Sequence, residues 1–262
     1  MPRVRRDSAA PRADDPPAGS ARSNRDCPYS ARRATAGVVH DLTVPRKGTS
    51  VTSTPKPGHG ILARHRRSRA ALLLVDVIND LRFDGGEALA RQARPMARRL
   101  ARLKTRAAAA GLPVIYVNDN FGQWRSDFRS LVEYCTTSDV PGRDMARLLT
   151  PADDDYFVLK PKHSGFFQTT LDLLLDDLGV DTLILTGLAG NICVLFTAND
   201  AYMRDFSIVV PEDGVVSTRR SDNRTALEQM RTLMKATTTP TVRLRLSTFV
   251  RRSSRGTRDR RT

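Results

Sequence analysis

Apolar residues cluster in short, unbroken runs separated by stretches in which they recur every three or four positions. The run "AALLLVDVIND" (70–80) is apolar on both faces and ends in acids. That is the signature of a strand buried in a parallel sheet. It is followed by "EALARQARPMARRLARLKTRAAAAG". Leu89, Ala93, Met96, Ala97, Leu100 and Leu103 recur there at helical spacing, and Gly111 is placed to close the helix. Pro95 inside this pattern predicts a kink or a late start. "LPVIYVND" (112–119) and "DYFVLK" (155–160) read as a second and third strand. "FFQTTLDLLLDDLG" reads as a helix stopped by Gly179, and "VDTLILTG" as a fourth strand. "CVLFTANDAYMRD" predicts a helix, "FSIVVPED" a fifth strand, and "SDNRTALEQMRTLMKA" a helix opened by Ser221 or Asp222. "TVRLRL" (241–246) alternates like a sixth strand. Strands alternating with helices predict an α/β fold, a three-layer sandwich around a six-stranded, mostly parallel sheet.

Charge changes the picture of the ends and not of the middle. The 262 residues carry a formal net charge of +15, which on its own suggests a nucleic-acid-binding protein. Divided along the chain, residues 1–69 contribute +10, 70–244 contribute −1 and 245–262 contribute +6. The electrically neutral middle argues against a nucleic-acid-binding fold. Residues 1–60 are rich in Arg, Ala, Ser, Pro and Asp and poor in large apolar side chains, a composition expected to stay disordered. Asp7, Asp14, Asp15 and Asp26 argue against a transit peptide there, and no Met occurs between Met1 and Met96. The expected division is a basic extension over 1–60, a folded domain over 61–246 and a basic tail over 247–262. No apolar run approaches the roughly 18–20 residues that cross a bilayer. The three cysteines, Cys27, Cys135 and Cys193, show no metal-binding spacing and no disulfide framework. The expected compartment is the cytoplasm.

In a parallel α/β sheet, chemistry sits outside the carboxyl ends of the strands. Asp76 ends the first strand, Lys160 ends the third, and Cys193 opens the helix after the fourth. A thiol at a helix N-terminus beside a lysine is expected to have a lowered pKa. A nearby carboxylate can move its proton, and the backbone N–H groups of "LAGNIC" can form an oxyanion hole. Together these are the parts of a covalent acyl-enzyme hydrolase. The bland alternatives are a buried cysteine and a capping aspartate.

The blocks "LLLVDVINDL" and "VLKPKHSGFFQTTLDLLLDDLGVDTLILTGLAGNICVLFTANDAYMRDFSIVVPEDGV", in that order, resemble the isochorismatase-like cysteine hydrolase superfamily. That group includes nicotinamidases, N-carbamoylsarcosine amidohydrolases and ureidoacrylate amidohydrolases. The resemblance implies an Asp–Lys–Cys triad, carried here by Asp76, Lys160 and Cys193. Lys160 is selected over Lys162 because the family's lysine stands four residues before a serine, here Ser164. It also implies a cis peptide from Leu188 to Ala189, with the amides of Ala189 and Cys193 as oxyanion donors. In this reading Asp76 takes the thiol proton, Lys160 stabilises the developing charge, Cys193 forms a thioester, and Asp76 activates the water that resolves it. The substrate is expected to be a small amide or carbamoyl compound, and the protein a homo-oligomer. Nicotinamidases bind a metal through an Asp and histidines after the second strand, but no histidine stands here between His65 and His163, so no metal and no cofactor is expected. Isochorismatases proper lack the cysteine.

The loop "NDNFGQWRSDF" after strand two is the expected substrate-contact region. Phe121 and Trp124 could wall the pocket, or Trp124 could pack beneath the loop. Asn118 and Asp119 either hydrogen-bond a ligand or cap the loop. Arg125 suits a substrate carboxylate, with Asp127 as the alternative partner. His163 could act as a general acid, but no triad role in the family needs it, and it reads as a structural or loop-hydrogen-bond residue; Cys135 reads as a buried hydrophobe, and Asp153–Asp155 as a solvated turn. The alternative to an enzyme is a non-catalytic family member whose basic tails tether it weakly to nucleic acid or an anionic surface.

Overall fold

The computed structural model describes residues 68–120 and 127–250. Six strands form one parallel sheet: β1 (Ala70–Val75), β2 (Val114–Asp119), β3 (Tyr156–Lys160), β4 (Thr182–Leu188), β5 (Ser207–Val209) and β6 (Val215–Val216). Helices α1 (Gly86–Ala109), α2 (Phe128–Thr137), α3 (Arg143–Leu148), α4 (Leu171–Leu178), α5 (Leu195–Tyr202) and α6 (Arg220–Leu233) connect and cover it. The strand order is β3-β2-β1-β4-β5. β1 occupies one edge of β4, so β5 and β6 share the other, β5 against Thr182–Ile184 and β6 against Gly187–Leu188.

Strand pleating sorts the core into two layers. Ala70, Leu72 and Leu74 of β1 pack with Leu89, Met96, Leu100 and Leu103 of α1 and with Phe128 of α2. Ala71, Leu73 and Val75 pack on the other face with Leu171, Leu175 and Leu178 of α4, Ala198 of α5 and Met230 of α6. Every residue of β1 and β2 is buried, which is why both strands read as continuous apolar runs. The apolar stripe expected for α1 is buried in full. That helix begins at Gly86, so Pro95 lies within it, on its exposed side, and does not mark a late start. Gly179 closes α4 in the left-handed conformation. Cys135 is fully buried.

Four expectations need correction. "TVRLRL" forms no strand: Thr241–Arg243 and Leu246–Phe249 are short 3₁₀ turns. The carbonyls of Thr241 and Leu244 are taken by the Arg106 guanidinium rather than by a ladder, while Leu244 and Leu246 are buried on the α1 side. The sixth strand is instead the two-residue β6. Helix α6 starts at Arg220, ahead of Ser221 and Asp222, with no side-chain cap. Asp155 is not solvated, since its carboxylate meets Lys104 Nζ at 2.6 Å with both side chains largely buried. The folded chain also runs past 246, to a bridge between Val250 and Ser68. Among the described residues no helix is long and apolar enough to cross a membrane. The expected extension over 1–60 lies outside the described residues.

Gly187 shows how closely β1 and β4 approach at their carboxyl ends. It has φ +112°, and a Cβ there would stand 2.0 Å from the Val75 carbonyl oxygen. Gly187→Ala should therefore cost about 3 kcal/mol of stability. A denaturant midpoint equal to that of the parent protein would show that the strands can part without loss.

Candidate active site

β1 ends where Asp76 turns into the left-handed region at φ +50°, after its N–H donates to Val117 O at 2.9 Å. The turn carries the carboxylate over the end of β2. Asp76 Oδ1 accepts the Asp119 N–H at 2.7 Å, and Asp76 Oδ2 lies 2.9 Å from Lys160 Nζ. Lys160 is directly opposite Asp119 in the β2–β3 register and is fully buried. Its ammonium also stands 3.6 Å from Asp119 Oδ2 and 3.5 Å from Cys193 Sγ. The strand order thus brings Asp76, Lys160 and Cys193 together at one end of the sheet.

Cys193 sits in a π turn, Gly190–Val194, that leads into α5. The N–H groups of Ile192 and Val194 both donate to Ala189 O, at 3.0 and 3.2 Å. The Leu188–Ala189 peptide is cis. Asn191 N–H donates to Ser217 Oγ at 3.1 Å, and Ser217 in turn donates to Asn223 Oδ1 at 3.0 Å. Ser217 directly follows β6, so that very short strand anchors the turn holding the thiol. A Cβ at Gly190 would lie 2.2 Å from Asn223 Oδ1, so a larger residue there would displace the Asn223 side chain from Ser217. On the other side, Thr197 Oγ1 donates to Cys193 O at 2.7 Å and accepts the Gly165 N–H at 3.0 Å. Ser164 Oγ donates to Asp200 Oδ2. The segment after β3 is thereby clamped to α5, and it places His163 Nδ1 4.0 Å from Cys193 Sγ.

Electrostatics overturn one expectation. Burial, reinforced by the Asp76 carboxylate, pushes the Cys193 thiol well above the ordinary range, and Lys160 only partly offsets them. The expected thiolate-stabilising effect of helix end and lysine is outweighed, so the resting group is a thiol. Burial opposes the Lys160 charge, but the Asp76 and Asp119 carboxylates beside it favour the charged form, and the ammonium stays protonated. Burial, then the Lys160 charge, lowers the His163 imidazole, so it is neutral at neutral pH.

Asn118 stands at the end of β2, beside Asp119. It is fully buried, its amide donates to Ile78 O at 2.7 Å, and it braces the loop after β1. Adjacent strand residues face opposite ways, so Asp119 is the one aimed at the lysine. That parity was readable once Lys160 was chosen, because Asp119 shares its face. Phe121, Trp124 and Arg125 lie outside the described residues. A nicotinamidase-type metal does not fit the donor set: Asp119 faces an ammonium, and the chain has no imidazole between His65 and His163.

In a Cys27→Ser background, alkylation of Cys193 by iodoacetamide should be slow at neutral pH and rise with pH. Asp76→Asn removes a charge that opposes the thiolate and should move that profile to lower pH. Lys160→Met should move it higher. Cys135, pushed up to about 12 by burial and then by Asp80, should stay unlabelled. Coincident profiles in all three proteins would show that the thiol does not sense these charges.

Residues 70–241 match a protein-family model described as the Isochorismatase domain. The uncharacterized isochorismatase family protein YaaI of Bacillus subtilis (strain 168) is 45% identical over 166 residues, 63% of this chain and 91% of its own. The ureidoacrylate amidohydrolase RutB of Yersinia enterocolitica is 31% identical, over 56% of this chain and 74% of its own. The crystal structure of N-carbamoylsarcosine amidase from Thermoplasma acidophilum superposes with a TM-score of 0.52 at 26% identity, covering 68% of this chain and 99% of the other.

Proposed function

The chain belongs to the isochorismatase family of hydrolases, and from that premise we propose that it cleaves a C–N bond of a small amide or carbamoyl compound through a thioester on Cys193. The observation that carries this reading is the buried cluster of Asp76, Lys160 and Cys193, with Lys160 Nζ 2.9 Å from the carboxylate and 3.5 Å from the sulfur. The likeness to an N-carbamoylsarcosine amidase and a ureidoacrylate amidohydrolase supports the bond type.

The resting thiol sets the order of events. Asp76 accepts the thiol proton as Cys193 attacks the carbonyl carbon. Lys160 stays protonated and offsets the negative charge that passes from carboxylate to sulfur. The amides of Ala189 and Cys193 are the assigned donors to the carbonyl oxygen as it gains charge. The C–N bond breaks, the proton held by Asp76 goes to the departing nitrogen, and an amine or ammonia leaves. Water then cleaves the C–S bond, releasing the acid and restoring the thiol. No redox partner is needed.

Cys193→Ala should lower turnover of small primary amides, N-carbamoyl amino acids and ureido acids by a factor on the order of 10³ or more. Ammonia or amine release measures this, and mass spectrometry of the quenched wild-type reaction should find the acyl group on Cys193. Turnover by Cys193→Ala at the parent rate would refute the nucleophile assignment.

A further inference from the structure

We propose that the cleft between α1 and the start of α6 binds the phosphate ester of a small sugar or polyol, and that its occupancy steadies the turn holding Cys193.

The cleft has a volume of about 530 Å³ and lies on the α1 side of the sheet, whereas Cys193 packs in the opposite layer. That size suits a small organic ligand better than a bare ion. Three guanidinium groups line it, those of Arg91, Arg99 and Arg220, and no carboxylate does. Arg91, Pro95 and Arg99 stand four residues apart along α1 and so share one face of the helix. Arg99 is already oriented. Its Nε donates to Asp213 O at 3.0 Å, and its two terminal nitrogens donate no hydrogen bond among the described residues. The Asp213 carboxylate is held in turn by the N–H and hydroxyl of Thr241, at 2.7 and 2.9 Å. Arg91 and Arg220 are exposed and form no ion pair among the described residues, although Glu87 stands four residues before the first and Asp222 two after the second. Asp222 instead accepts the Ser221 hydroxyl at 3.1 Å. Two unpaired guanidinium groups beside a fixed third match a phosphate, which such forks bind through paired hydrogen bonds.

The rest of the lining points to what the phosphate is attached to. Gln92 Nε2 donates to Ser217 O and Thr218 O, at 3.2 and 3.0 Å, which leaves Oε1 as an acceptor. Pro95 has no N–H to give the Arg91 carbonyl, a second acceptor on the same helix. Both suit ligand hydroxyl groups. No aromatic ring is among the described residues that line the cleft, so nothing there stacks a nucleobase.

The link to the Cys193 turn runs through Ser217. A ligand held by Arg91 and Arg99 on one side and by Arg220 on the other joins α1 to residues 216–220. Ser217 lies in that stretch, with its carbonyl bonded to Gln92 and its hydroxyl accepting the Asn191 N–H at 3.1 Å. Asn191 stands two residues before Cys193 in the same turn.

Titration calorimetry of the full-length protein at physiological salt tests the site, with ribose 5-phosphate, inorganic phosphate and ribose as probes. Ribose 5-phosphate should bind more tightly than inorganic phosphate, and ribose should not bind. Arg91→Gln and Arg220→Gln should each weaken ribose 5-phosphate binding by about tenfold or more. Their denaturant midpoints should equal the parent's, because neither side chain has an ion pair to lose. The basic ends of the chain are present in every one of these proteins, so a difference between them reports the cleft. Amide hydrogen exchange at Asn191 should slow when ribose 5-phosphate is bound, and should not slow in the double variant. No binding, or an affinity unchanged in both variants, would overturn the site. Equal affinity for inorganic phosphate would overturn the ester, and unchanged exchange at Asn191 would overturn the link to the turn. None of these readouts depends on the thioester mechanism.

Discussion

A buried ammonium governs this structure. Lys160 has no exposed surface, and taking such a charge out of water costs several kcal/mol unless it is closely paired. The pairing is supplied by a carboxylate from β1, a second from β2 and a sulfur from the turn after β4. These groups converge only because β2 lies between β1 and β3, so that Asp76 must turn across the end of β2 to reach the lysine. The close contact at Gly187 and the Ser217–Asn191 bond hold β4 and its following turn against the same point. Removing one carboxylate leaves the rest of the cluster with an imbalance that the surrounding core cannot hydrate.

The same burial shapes the proposed nucleophile. A sulfur kept as a thiol by its surroundings is a poor target for oxidants and alkylating agents, whose reactivity follows thiolate character. In the proposed mechanism it becomes nucleophilic only while Asp76 carries its proton, so its reactivity is tied to the arrival of a carbonyl group.

Much of this was readable from sequence because the informative residues sit in long, fully buried segments. β1, β2 and β4 bury both faces, so they appear as apolar runs, while the three candidate reactive positions follow β1, end β3 and follow β4. What was missed lies where local pattern and three-dimensional role diverge. β6 is two valines long and carries no periodic signal, yet it seats Ser217. "TVRLRL" alternates like a strand, but its carbonyls bond Arg106 and its leucines anchor a pair of turns. Helices α2 and α3 were not assigned at all. Asn118 and Asp119 were read together, although one residue along a strand reverses the face. The thiol was expected to be acidic because helix end and lysine were visible in the sequence, whereas its burial was not, and the carboxylate was read only as a proton acceptor.

The bridge between Ser68 and Val250 has a consequence of its own. Arg69 N–H donates to Phe249 O at 2.8 Å, so the described chain enters and leaves the fold at one place, beside the starts of β1 and β4. From there to Asp76 the chain runs the length of β1, roughly 25 Å at strand spacing. That is more than two screening lengths at physiological salt. The domain therefore has two poles, one for attachment and one for chemistry. The sequence on either side of the described residues, strongly basic in composition, joins the domain at the first.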